Sequence, residues 1–250
     1  MCRMLLATGD FPIEKTLNAA ISMAQGKTCP HPAPSNDHPH GFGLVWSDPE
    51  QPTGYATFKC LDPLGLQSAS QLMSQAGPSL IRTRLLAVHA RYATRPRDMG
   101  QEFSHPLEVN TAQGPSYFMH NGFLPFAYQH LGLPESRFDT AEYFQLVRTL
   151  LKAGSLEQQL TDILEPMGKP GSAANMIFID GAKARVFNWW PQGHKFSDYF
   201  RMQILKRAAH TIISSDVLPD LAPHSHWRAM ARGAFITIGL DDDMPTNGGM

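Results

Sequence analysis

The second residue of the chain is the one best equipped for chemistry. Cys2 directly follows the initiator Met1, and cysteine is small enough for that methionine to be trimmed. The mature chain would then carry a thiol and a free α-amine on one residue. An N-terminal amine serving as base for a nucleophile is an established catalytic arrangement. The ordinary pKa values suit it, ~7.7–8.0 for an α-amine and ~8.5 for a cysteine thiol. A buried strand cysteine is the competing reading. Three polar clusters downstream offer partners. In His89-Ala90-Arg91-Tyr92-Ala93-Thr94, the planar fork of Arg91 suits a carboxylate, or else a surface salt bridge. In His120-Asn121-Gly122, the Asn amide and the Gly backbone N–H are the donors that an oxyanion hole requires, because glycine lets a reacting carbonyl approach. The same pair also reads as an ordinary Asn-Gly turn. Asp139, in Phe138-Asp139-Thr140-Ala141-Glu142, either caps a helix or binds an ammonium group.

The elements around these residues must aim them. Residues 2–7 read as a strand that ends in a turn at Thr8-Gly9-Asp10. Residues 13–25 carry apolar side chains at helical spacing, closed by Gly26. Four prolines make 27–40 a loop, which leads into strands at 41–46 and 54–60, a hairpin. A weaker helix is expected over 64–76. The β-rich run 84–92 delivers His89 and Arg91 at its end, and 116–121 delivers His120 and Asn121. Residues 139–152 and 155–164 have helical patterns, the second with Ser155 as a cap. Strands at 174–180 and 185–190 flank Gly181 as a hairpin, and two more are expected at 211–215 and 234–238. The sum is six to eight strands with helices in blocks. That pattern predicts stacked, largely antiparallel sheets with helices outside, and no doubly wound parallel fold.

Composition narrows the function class. With 42% hydrophobic and 17% charged residues in 250, the chain can bury a sizeable core. A formal charge of −1 and no dense Lys/Arg run argue against nucleic acid as a partner. No apolar run approaches the ~20 residues that cross a bilayer, so no membrane partner is expected. No signal peptide precedes the scattered Cys2, Cys29 and Cys60, which point to a reduced cytoplasmic protein.

In order and spacing, these clusters resemble the class II (N-terminal cysteine) glutamine amidotransferases, and the short stand-alone members most. The matching residues are Met1-Cys2-Arg3, Gly41-Phe42-Gly43, His89 to Thr94, Ser104-His105-Pro106, His120-Asn121-Gly122 and Asp139-Thr140-Ala141-Glu142. Ser214-Ser215-Asp216 and Trp227 with Gly233 match more loosely. The resemblance implies an α+β fold, a four-layer αββα Ntn-hydrolase sandwich of two mainly antiparallel sheets. It also implies one amidotransferase domain over 1–250, with 241–250 a frayed tail. By the same resemblance, Cys2 attacks the side-chain amide of glutamine or a γ-glutamyl compound, and Asn121 and Gly122 hold the oxyanion. Arg91 takes the substrate carboxylate and Asp139 its ammonium, with Thr94 and His120 also lining the substrate site. No cofactor is implied; an ammonia-accepting partner protein is the partner expected besides the substrate. Two departures from the family pattern are His40, where Asp is common, and Arg95 after Thr94, where His-Gly is usual in synthetase-linked members. The extra cation would favour a longer or more acidic γ-glutamyl compound.

Two rival readings stand beside this one. Cys29, His31, His38 and His40 lie within twelve residues, but C-x-H-x6-H-x-H matches no standard zinc pattern, and no metal is expected. A non-catalytic or regulatory subunit that keeps the fold is the other, and within enzymes a hydrolase specific for a modified γ-glutamyl small molecule or peptide is a further alternative.

Overall fold

The computed structural model describes residues 1–29, 32–33, 35–93, 99–111, 114–125, 127–136, 138–181 and 183–240. Thr94, Arg95, His31 and the 241–250 tail lie outside the described residues.

Seven strands form the first sheet, in the order β11 (Trp227–Ala229), β9 (Gln203–Lys206), β10 (His210–Ser214), β1 (Arg3–Gly9), β4 (Leu85–Ala90), β2 (Phe42–Ser47) and β3 (Tyr55–Cys60). Five form the second, in the order β12 (Ala234–Gly239), β8 (Lys183–Asn188), β7 (Ala173–Asp180), β6 (Gly114–Phe123) and β5 (Leu107–Thr111). Every neighbouring pair is antiparallel.

The two-residue period of a strand sends alternate side chains to opposite faces, and both faces of each sheet are covered. From β1, Leu5 and Ala7 pack outward with Leu44, Leu86 and Val88 under α1 (Ile13–Ala24), α2 (Ala69–Ala76) and α3 (Pro78–Ile81). Met4 and Leu6 pack inward with Leu85 and Ala87 against Met119, Ile177, Ile179 and Val186 of the second sheet. The far side of the second sheet, with Phe118 and Phe178, is covered by α5 (Asp139–Lys152) and α6 (Leu156–Leu164), with the short α4 (Ala127–Leu131) nearby. A last turn of helix, α7 (Ser197–Phe200), sits near the start of β1. This is the four-layer αββα arrangement.

Several expectations need correction. Twelve strands are present among the described residues, against the six to eight anticipated; the missed β5, β9 and β11 are too short to show a clear period. His120, Asn121 and Gly122 lie inside β6, paired with β7 through Asn121↔Asn175 and Gly122↔Ala174, so Asn121-Gly122 is no hairpin turn. The 64–76 helix splits into a 3-10 turn, Leu64–Leu66, and α2. The break falls where Ser68 takes the N-cap, accepting from the Gln71 N–H while the Gln71 side chain accepts from the Ser68 N–H. Ser155 occupies the N-cap of α6, but its side chain makes no capping bond.

Candidate active site

The start of β1 is held by the residue after Cys2. Arg3 is buried and forms a 3.3 Å ion pair with buried Asp216. Its guanidinium also donates to the Tyr199 carbonyl at 2.8 Å and to Cys29 Sγ at 3.2 Å, and lies 3.6 Å from the centre of the Tyr199 ring. Asp216 in turn accepts from Thr28 Oγ1 at 2.9 Å, and Ser215 Oγ accepts from the Met4 N–H at 2.9 Å. Tyr199 completes the knot: its hydroxyl lies 3.3 Å from His38 Nε2 and donates to the Cys2 carbonyl at 3.4 Å. A buried charge is tolerated only when paired and hydrogen-bonded, so this set of partners fixes the backbone on both sides of the Arg3 side chain. Cys2 is thereby positioned, although it is the penultimate residue of a terminus.

Across the sandwich, β6 meets Cys2 with Asn121. The Cys2 N–H donates to Asn121 Oδ1 at 2.8 Å. That bond sets the amide orientation, since only the carbonyl oxygen can answer a peptide N–H. Asn121 Nδ2 is then left fully buried with no hydrogen-bond partner among the described residues. At Gly122 a side chain would overlap both the Ala173 carbonyl and the His120 ring, so only glycine fits.

Three buried histidines crowd the same end. On β4, His89 Nε2 lies 3.1 Å from the His120 carbonyl, bridging the two sheets. Its Nδ1 has no oxygen or nitrogen partner among the described residues and is left to the neighbouring Cys2 thiol. Burial alone would push the Cys2 thiol up. The His89 charge, the terminal ammonium and a His89 hydrogen bond outweigh it and bring the thiol down to about 6. The His105 ring lies against that of His89, with centres 4.0 Å apart and planes tilted by 55°, and neither of its nitrogens has a partner among the described residues. Burial, then the charges of His89, His120 and Arg91, hold it well below the usual histidine range. The loop carrying His105 approaches β2 at Gly43, where any side chain would strike the His105 carbonyl. His120 has both nitrogens engaged, at 3.0 Å from Thr140 Oγ1 and 3.2 Å from the Ala173 carbonyl, and burial lowers its pKa.

Arg91 follows β4 and is buried, with Nη1 donating to the His40 carbonyl at 3.4 Å. His40 Nδ1 accepts from the Ala93 N–H at 2.9 Å, so His40 holds the segment that follows Arg91. Asp139 opens α5 but is not its N-cap, which is Phe138; the carboxylate instead accepts from the Leu124 N–H at 2.6 Å and pins the exit of β6. Of the loop residues weighed as metal ligands, Cys29 meets Arg3, His38 meets Tyr199 and the Ala24 carbonyl, and His40 meets Ala93. Among the described residues no three or more metal-ligating side chains come together.

Met1 is present in this structure. Its ammonium donates to the Tyr92 carbonyl at 3.0 Å. Burial lowers the ammonium pKa, while the negative charges of Cys2 and Asp139 pull it the other way. The Met1 side chain packs with Cys29, Ala33 and Phe196 on a cup of buried Ala173, Trp190, Tyr199 and Phe200.

The structure therefore brings Cys2, Asn121 and Gly122 together at the inter-sheet end, with Arg91 beside them. Asp139 is near enough for its charge to act on the terminal ammonium. The sequence marks His89 and His105 without giving either a role, and it offers no sign of Tyr199. Their partners lie on other elements, and the only signal was their place in ordered motifs.

No protein-family model matches the chain, and no curated protein matches its sequence. Solved structures do match. Glutamine phosphoribosylpyrophosphate amidotransferase from B. subtilis superposes with a TM-score of 0.63 at 15% identity, over 98% of this chain and 48% of that one. A structure described as the allosteric regulatory enzyme of purine biosynthesis gives 0.64 at 16% identity, over 96% and 47%. A glutamine aminotransferase class-II domain protein from Silicibacter pomeroyi gives 0.56 at 15% identity, over 96% of both chains. The chain spans about half the length of the first two proteins and matches the third end to end. What it shares with all three is the fold, the two-sheet sandwich of class II glutamine amidotransferase domains.

Proposed function

We propose that the protein is a class II amidotransferase-type hydrolase acting on glutamine or a γ-glutamyl amide, with Cys2 as nucleophile after Met1 is removed. The observation that carries this reading is the Cys2 N–H bond to Asn121 Oδ1, which leaves Asn121 Nδ2 buried without a partner beside the thiol. Removal of Met1 turns that peptide nitrogen into an amine in the same place, within reach of Sγ. Cys2 Sγ attacks the γ-carbonyl carbon, and the thiol proton passes to the α-amine. Asn121 Nδ2 and the Gly122 N–H receive the developing oxyanion; one such donor is worth about 2.7–4 kcal/mol of barrier. The C–N bond breaks as the amine returns the proton to the leaving nitrogen. Water then resolves the thioester to glutamate and restores the thiol.

Arg91 supplies the cation for the substrate carboxylate and Asp139 the anion for its ammonium, the division that a zwitterion requires. Thr94 belongs with Arg91 in this reading. His120, with both nitrogens committed inside the protein, serves by holding β6 and α5 together. Released ammonia goes to a partner protein or to solvent. No helix among the described residues is long and apolar enough to cross a membrane, and a reducing cytoplasm suits the free thiol.

The test is release of glutamate and ammonia or amine from γ-glutamyl amides by protein whose intact mass lacks Met1. Cys2→Ala should fold, as judged by an unchanged unfolding midpoint, and release none. Turnover by Cys2→Ala at the wild-type rate would refute the mechanism and favour the non-catalytic reading.

A further inference from the structure

The space that Met1 occupies says which part of the substrate must enter it. In the proposed reaction, the leaving nitrogen takes its proton from the Cys2 amine, so the two nitrogens must approach to ~2.6–3.2 Å. In this structure the group joined to the Cys2 nitrogen is the Met1 carbonyl, in a peptide bond of ~1.33 Å. Losing Met1 therefore frees two volumes: that of its ammonium end, near Asp139 and Arg91, which the proposed reaction gives to the glutamate end, and that of its side chain, beside the proton donor, where the leaving side of the substrate sits. The Met1 side chain packs against the buried cluster of Ala173, Trp190, Tyr199 and Phe200, as does the half-buried Phe196.

We infer that the Met1 cup is the leaving-group subsite, and that the substrates are N-substituted γ-glutamyl amides whose amine carries an apolar group of about methionine size, in preference to free glutamine. This inference rests on the N-terminal nucleophile reading. Glutamine has only hydrogens on its amide nitrogen, so it would leave an aromatic cup without a partner. An acidic amine substituent would put a carboxylate against Trp190 and Phe200, a costly burial for an unpaired charge. The reaction is the same: Sγ–C bond formed, C–N bond broken, proton to the departing amine, then water to the thioester, giving glutamate and the apolar amine.

The experiment compares kcat/KM for glutamine, γ-glutamyl-n-butylamide and γ-glutamylaspartate, using protein shown by mass to lack Met1. The butylamide should exceed both others by ~10-fold or more, the range expected when an apolar pocket gains methylene contacts. Phe196→Ser, at the rim of the cup, should lower the butylamide-to-glutamine ratio by at least ~5-fold through the same loss of contact. Glutamine or γ-glutamylaspartate turned over as well as the butylamide would overturn the subsite and leave the hydrolase reading standing. No turnover of any of the three would overturn both. The wild-type series decides the question even if the Phe196 variant does not fold.

Discussion

Ala87 and His89 are neighbours on one face of β4, both fully buried between the same two sheets, yet their surroundings differ in kind. Ala87 lies among Met4, Leu6, Val45, Ile177 and Val186, an apolar layer. One strand repeat further along, His89 lies among His105, Asn121 and the Cys2 thiol, where four buried side-chain nitrogens have no oxygen or nitrogen partner among the described residues: His89 Nδ1, both His105 nitrogens and Asn121 Nδ2. Each buried polar group without a partner costs about 1–3 kcal/mol, whereas the apolar layer stabilises. The sandwich thus carries its stability in the middle and its unsatisfied polarity at one end. That division is what a site requires, because donors already satisfied by protein cannot receive an oxyanion.

The comparison can be broken from either side. At the polar end, Asn121→Ala removes the free donor and should lower kcat by about 10²–10³. Losing Asn121 Oδ1 as the acceptor for the Cys2 nitrogen should cost only about 1–3 kcal/mol in urea unfolding. A large loss of stability with intact turnover would reverse the assignment. At the apolar layer, Leu6→Ala should do the opposite: a loss of ~2–5 kcal/mol in urea unfolding, with turnover per folded molecule unchanged. The smallest effect concerns the thiol. In the chain that retains Met1, alkylation of Cys2 should have its pH midpoint at about 6. His89→Gln removes the charge that favours the thiolate, so the midpoint should rise toward the ordinary ~8.5, and the rate at pH 7 should fall roughly tenfold. An unmoved midpoint would mean that His89 does not act on the thiol.

Much of this architecture is legible in the sequence, for local reasons. The 139–152 helix and the Gly181 hairpin follow from period and turn chemistry, and so does the strand expected over 84–92, which the structure has as Leu85–Ala90 with Arg91 just beyond it. Asn121-Gly122 misleads for the opposite reason. Its local preference is a turn, but pairing of Asn121 with Asn175 on β7 overrides it. Asn175 is itself held, by the Trp189 N–H at 2.8 Å and the Phe200 carbonyl at 2.5 Å. The contacts that make the site are long-range: His105 against Gly43, His89 against the His120 carbonyl, Tyr199 against the Cys2 carbonyl. No spacing rule gives such contacts. Ordered motifs show only that the residues belong to one group, and the fold then supplies the distances.

The account turns on Cys2 being both the first residue and the nucleophile. The direct measurement is mass spectrometry of the active protein after treatment with a diazoketone analogue of glutamine, followed by peptide mapping. The account predicts one adduct, on a peptide that begins with Cys2. Hydrolysis of γ-glutamyl amides by protein that keeps Met1, or a label on Cys29 or Cys60 in place of Cys2, would contradict it.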